Sequence, residues 1–373
     1  MKKIIFILLV SILPTILYSQ DYTREQGEAG FIKAHVAMRR TIPEDVQKRY
    51  NDALDEIHKM LKGELPLSFK RAVFLVEYAE KDGKLSWDEF NSEILRIKPI
   101  LEKMIVDRNL QSYKTSGNWA IFTYMCDSIP ENDFTPYTYD IENFLSPTNR
   151  DAFWVSHLLK SKKGNCHSMP YLYKILANEI DATAYLSIVP LHCYIKHQDE
   201  DENWWNVEVT SGTFSRSSYI MDNYNVSETA IKSGLFMDTL SQVESVAHCL
   251  YDLLVSYDKK TGRYSDDFVT KCYEIGLQYY PISEMQVMKL NDLQFRLDCK
   301  IIDRGLAGKQ TNFDEHPDLK KELEALLDMH KYIKKIGHST MSQKTYEEGF
   351  LKVREQQLKA RQRKQMNELD DGR

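Results

Sequence analysis

Positive charge is not in surplus in this 373-residue chain: Lys and Arg total 49 against 55 Asp and Glu, a net charge of −6. Phosphate recognition needs a clustered basic face, so nucleic acid is not an expected partner. No segment after residue 18 approaches the ~20 apolar residues that span a bilayer, so no stable membrane insertion is expected of the mature chain. Cysteine is sparse, at Cys126, Cys166, Cys193, Cys249, Cys272 and Cys299, and the spacing shows no disulfide framework. A chain of this length can bury a core without such staples. The 22 Tyr and 15 Phe point to a globular protein rather than a disordered one.

What is present begins at the N-terminus. Lys2 and Lys3 precede an apolar run from Ile4 to Tyr18, broken by Pro14, and Ser19-Gln20 resembles a cleavage region. The run is short for a spanning helix and reads as a secretory signal peptide, residues 1–20. With no cysteine near the cleavage region, a lipid anchor is not expected. The mature chain is expected to be exported, periplasmic or extracellular, from a bacterial source. That compartment and an even cysteine count favour pairing. Cys249–Cys272 is then the preferred bridge, with Cys193 taken as a core residue.

The most informative stretch is Lys163-Gly164-Asn165-Cys166-His167-Ser168-Met169-Pro170. Asn165 reads as an N-cap, and Met169, Leu172, Ile175, Leu176 and Ile180 follow at helical spacing. Cys166 then falls in the first turn, where the helix's positive end favours a thiolate. Residues 182–189 read as a buried strand, and a hairpin follows from Leu191 to Gln198 and Asn203 to Val209, turning around Asp199 to Asp201. Alternation sets Leu191, Cys193, Ile195 against His192, Tyr194, Lys196, and Trp205, Val207, Val209 against Trp204, Asn206, Glu208. A three-residue turn gives pairs 195/205, 193/207 and 191/209, with His192 directly opposite Glu208, Cβ atoms roughly 5 Å apart. Cysteine, histidine and carboxylate together are the chemistry of a thiol nucleophile, its base and the group orienting the base.

G-N-C-H-S-M-P-Y-L-Y, P-L-H-C-Y-I-K-H and W-W-N-V-E-V-T resemble the bacterial transglutaminase-like superfamily, which has a papain-like core. The likeness covers about residues 145–215. It implies Cys166 as nucleophile, His192 as base and Glu208 as third member. The third member of the superfamily is usually aspartate, and the Cys-to-His interval here is short, as in the bacterial branch with helical repeats after the core. Asn165, His167, Asn206 and Trp204 are expected around the substrate or just behind the residues that touch it: His167 at the rim or in that supporting layer, Asn206 as a second orienter of the imidazole. His197 reads as a strand-end histidine. No cofactor and no metal ligand set is expected.

The flanks read as helical. Val46, Tyr50, Leu54, Ile57 and Leu61 make one stripe, and Phe74 to Tyr78 belongs to another helix. Asp82, Gly83, Ser86 and Glu89 match the second half of an EF-hand loop, but Tyr78 stands where its first carboxylate would be. A helix–turn–helix with a D-G turn is therefore preferred. Beyond the core, Ala247, Leu250, Leu253 and Leu254 mark one helix and Phe268, Cys272, Ile275 and Tyr279 the next. Y-E-I-G-L-Q-Y-Y-P resembles a tetratricopeptide-type second helix, which would offer a peptide- or protein-docking surface; a helical buttress for the core is the preferred reading.

The expected fold class is α+β: a papain/transglutaminase-like core, with a helix on a small antiparallel sheet, flanked by mainly helical regions. The expected divisions are a signal peptide at 1–20, helices at 21–112, the core at 113–215, tetratricopeptide-like helices at 216–340 and a charged helical tail at 341–373. The expected activity is amide or peptide hydrolysis on a peptide or protein substrate, with transamidation the variant in which an amine replaces water. A non-catalytic exported binding module, using the helical region, is the alternative.

Overall fold

The computed structural model describes residues 5–6, 41–143, 150–263, 265–306 and 310–339. These form a mixed α+β structure, 61% helical, with small sheets. The charged tail at 341–373 lies outside the described residues, as does the 1–20 leader apart from β1 (Ile5–Phe6), which pairs antiparallel with β8 (Gln310–Thr311).

The first helices form where the apolar stripes predict them. Helix α1 (Glu44–Leu61) buries all five stripe residues, and its acidic first turn and basic last turn complement the helix dipole. Helix α2 (Phe69–Glu80) starts at Ser68, whose hydroxyl accepts the Arg71 N–H, and α3 (Trp87–Asp107) starts at Ser86, which accepts from Glu89. Between α2 and α3, Asp82 and Gly83 turn the chain at φ 57° and 73°. The Asp82 carboxylate pairs with Arg49 at 3.2 Å and Lys260 at 2.7 Å, and Ser86 is a cap, so two groups of the EF-like pattern serve the helix–turn–helix.

Helix α4 (Ser116–Cys126) leads to β2 (Thr138–Tyr139), which pairs in parallel with β3 (Lys163–Gly164). Between them lies α5 (Val155–Ser161), whose first N–H groups are capped from outside: the buried Glu77 carboxylate of α2 accepts from Val155 at 2.7 Å and Ser156 at 2.9 Å. Helix α6 (Ser168–Glu179) then packs on a four-stranded antiparallel sheet of β4 (Tyr185–Val189), β5 (His192–Gln198), β6 (Trp204–Glu208) and β7 (Thr213–Ser215). The strand expected from residue 182 begins at 185. The carbonyls before it accept from side chains instead: Thr183 from Asn118 and Ala184 from Lys174.

Helices α7 (Ser217–Asn223) and α8 (Glu228–Ser233) are short, and α9 (Gln242–Thr261), α10 (Asp267–Tyr279), α11 (Met285–Asp303) and α12 (Pro317–Lys335) pack successively. The sheet separates two cores. Leu186, Ile188, Cys193, Ile195, Val207 and Val209 join α1, α2, α6, α9 and α10 in the larger one. Val189 and Tyr194 face the smaller one, built with α7, α8, α11 and α12. The larger core thus crosses the expected divisions at 112/113 and 215/216. Among the described residues, none of the six cysteines is in a disulfide. The Cys249 and Cys272 thiols instead donate to the Ser245 and Leu250 carbonyls at 3.6 and 3.5 Å, so the bridge preferred from the sequence is not formed. Nor, among the described residues, is any helix long and apolar enough to cross a membrane.

Candidate active site

Gly164 opens the site because only glycine fits there. A Cβ would stand 2.4 Å from the Ser168 hydroxyl and 2.8 Å from Leu158. Asn165 follows, buried, and its Oδ1 accepts from the N–H groups of His167 at 2.9 Å and Ser168 at 3.3 Å. The Asn165 N–H donates back to the Ser168 hydroxyl at 3.1 Å, a reciprocal cap. The regular helix begins at Ser168, but the Met169 N–H already donates to the Asn165 carbonyl at 3.2 Å, so Cys166 stands in the turn leading the helix. Its thiol donates to the Leu191 carbonyl at 3.6 Å.

His192 and Glu208 meet across the sheet: the imidazole Nε2–H donates to Glu208 Oε2 at 2.9 Å, and both side chains are buried. With Nε2 taken by Glu208, the buried Nδ1 is the ring nitrogen left to serve Cys166, whose thiol meets the carbonyl of the preceding residue, Leu191. Burial opposes charge on His192, but the Glu208 carboxylate and the Cys166 side chain outweigh it and raise the imidazole to about 10. Tyr224, just past α7, stacks on the imidazole with centroids 4.4 Å apart and planes at 14°. The structure therefore brings Cys166, His192 and Glu208 together.

The route by which His192 and Glu208 meet differs from the expected one. The ladder pairs Ile195 with Val207, Lys196 with Asn206, His197 with Trp205 and Gln198 with Trp204, two residues from the expected register. Asp199 is the cause. Its carboxylate accepts from the Asp201 and Asn203 N–H groups, the Asn203 amide and the Trp205 indole, and its own N–H donates to the Asn203 carbonyl at 2.9 Å. Asp199 thus closes the strand, and the three-residue turn moves to Glu200–Glu202. A one-residue shift of the turn slides the ladder by two, which leaves every side chain on its face. Continued one step past its last pair, Ile195–Val207, the ladder sets Tyr194 opposite Glu208 and His192 on the diagonal, roughly 7–8 Å away between backbones. The additional methylene of glutamate spans that diagonal.

The other expected positions fall as follows. Of the two places expected for it, His167 takes the inner one: its Nδ1 lies 3.0 Å from the Phe153 carbonyl and its Nε2 3.2 Å from Asp252 Oδ2. Its ring stacks on Phe153 and lies against Tyr171, both at 3.8 Å. Asn206 does not orient the imidazole; its amide donates to the Ser215 carbonyl at 3.0 Å and the Ser217 hydroxyl at 3.2 Å, tying β6 to β7 and α7. Trp204 sits at the turn end of β6, half exposed, against Tyr185 and the Lys196 ammonium. His197 is the strand-end histidine expected, buried, with Nδ1 3.1 Å from the Gln198 carbonyl.

Sequence reading missed Asp252, Tyr224 and the turn at Leu191. Asp252 is a buried carboxylate on α9; burial raises it, but His167 and the Tyr171 hydroxyl, which donates at 2.7 Å, hold it below the ordinary range. Its signal was an acid among Cys249, Leu250 and Leu253, on a helix whose stripe is otherwise apolar. Cys193 donates its thiol to the Cys166 carbonyl at 2.9 Å, and burial pushes that thiol well up, leaving it a core group beside Cys166. Between β4 and β5 the chain turns in two residues, Pro190 and Leu191, with Leu191 at φ 59°. Glycine or asparagine is the usual choice there; leucine costs on the order of 1 kcal/mol.

No family model matches the chain, and neither does any curated protein or solved structure.

Proposed function

We propose that this is an exported cysteine-dependent acyl-transfer enzyme with a transglutaminase-like, papain-like core, acting chiefly as an amide or peptide hydrolase. One observation carries the reading: a buried His192–Glu208 hydrogen bond of 2.9 Å, with the Cys166 thiol 3.6 Å from the carbonyl of the residue before that histidine. Core packing alone does not call for a buried histidine–carboxylate pair in reach of a cysteine. The leader with Lys2 and Lys3 supports export.

In this mechanism the Cys166 sulfur, paired with the His192 imidazolium, attacks the amide carbonyl and forms the C–S bond. Collapse breaks the C–N bond, and His192 gives its proton to the leaving amine. The now neutral imidazole takes a proton from water, whose oxygen attacks the thioester. The carboxylic acid leaves and Cys166 is restored. Glu208 holds the ring's orientation and stabilises its charged form. An amine in place of that water gives transamidation.

The test is alkylation of Cys166 by iodoacetamide at pH 6, followed by peptide mapping. An ordinary thiol has a pKa of about 8.5 and reacts slowly there. Rapid labelling in the wild type, slowed at least about tenfold in His192→Ala, is expected from loss of the ion-pair partner. Slow labelling that His192→Ala does not change refutes the triad and leaves the binding-module alternative.

A further inference from the structure

Leu191 combines three properties that packing does not explain. It occupies a left-handed backbone position at φ 59°, in a two-residue turn whose first residue is Pro190. Its side chain is 46% exposed, so burial does not offset the strain. Its carbonyl accepts the Cys166 thiol at 3.6 Å, and its chain neighbour is His192. Glycine or asparagine would relieve the backbone and keep the same carbonyl. An observed strained residue beside reacting groups points toward function.

We propose that Leu191 is the specificity-determining residue of the site, forming an apolar wall that receives an apolar or aromatic side chain flanking the scissile amide of the substrate. This rests on the acyl-transfer reading. The strained turn projects the leucine outward beside the nucleophile, so the contact it makes is with the incoming acyl group or leaving group. Tyr224 stacks on the imidazole, and Tyr219 of α7 is 40% exposed, so aromatic side chains are also available on that side. Such a wall selects by removing apolar surface from water. A pocket of this kind discriminates by roughly 10–200-fold per apolar contact.

The test compares two reagents on the full chain, with labelling at Cys166 followed by peptide mapping. Iodoacetamide carries no side chain; acetyl-phenylalanyl chloromethyl ketone carries an aromatic one. The ratio of ketone to iodoacetamide rates is expected to fall about tenfold in Leu191→Gly and in Leu191→Asn. Leu191→Met keeps the apolar wall and should keep the ratio within about twofold. The thermal midpoints of the Gly and Asn variants should hold or rise, because both residues accept the backbone conformation. A ratio unchanged in the Gly and Asn variants, with Cys166 still reactive toward iodoacetamide, overturns this inference alone. An equal fall in Leu191→Met also overturns it. A wild-type Cys166 inert to both reagents overturns the triad and this inference together.

Discussion

Glutamate rather than aspartate stands at 208 because the pair it makes is diagonal. Tyr194 takes the position directly across, and the carboxylate reaches one step along the strand to His192, closing at 2.9 Å. Removing one methylene withdraws the carboxylate by roughly the length of a C–C bond, about 1.5 Å. Glu208→Asp is therefore expected to slow Cys166 alkylation at pH 6 about as much as Glu208→Gln, by tenfold or more, about 1.4 kcal/mol. Had the two residues been directly opposed, aspartate would serve; near wild-type rates in Glu208→Asp would restore that arrangement. The same pair sets a pH dependence. His192 is raised from 6.5 to about 10, so its contribution to stability is complete below pH 6.5 and is lost as pH climbs to 10. In urea titrations, the wild type should exceed Glu208→Gln by most below pH 6.5, with the gap closing toward pH 10. A gap constant over that window would mean that His192 is not held charged.

At the scale of elements, side chains from distant parts of the chain finish what local sequence begins. Helix α5 has no cap of its own; Glu77 reaches from α2 to accept two of its N–H groups. Burial is the main influence on this carboxyl and pushes it up, while those N–H groups pull the other way. Glu77→Ala leaves two buried donors without an acceptor, and an unsatisfied buried group costs about 1–3 kcal/mol. Chemical denaturation should read a loss in that range, and a loss below about 0.5 kcal/mol would mean water replaces the carboxylate. The hairpin depends in the same way on Asp199, whose carboxylate gathers four donors around the turn and is held at about 2, first by the Trp205 indole. Amide exchange at Asp201 and Asn203 should quicken in Asp199→Ala, because both N–H groups lose their acceptor; unchanged exchange would mean the turn stands without it.

Over the whole molecule, the sheet is a partition between two cores, and the site lies on it. The Cys193 face belongs to the larger core and the Tyr194 face to the smaller. The C-terminal region contributes directly, with Tyr224 on the imidazole and Asp252 behind His167. The helical flanks are therefore part of the site's support as well as a surface. Stability comes from these cores and not from covalent links between cysteines. The thermal midpoint should accordingly agree within about 1 °C with and without a thiol reductant, whereas a lost disulfide would remove several kcal/mol. A fall of several degrees on reduction would show that a bridge had formed.

Periodicity and parity in the sequence determined which faces are buried. Helical spacing after Asn165 located α6, the α1 stripe located its buried face, and alternation along 192–198 and 204–208 assigned His192 and Glu208 to one side. These are local properties, and a two-residue slip of register preserves them all. The register itself was decided by the hydrogen bonds of Asp199, which alternation does not record. Tertiary contacts alone decided that His167 turns inward to Asp252, that Asn206 ties β7 rather than the imidazole, and that Tyr224 covers His192. Those partners lie 85, 9 and 32 positions away in the chain. A pattern of neighbours carries information about faces; it holds none about which distant group will arrive at them.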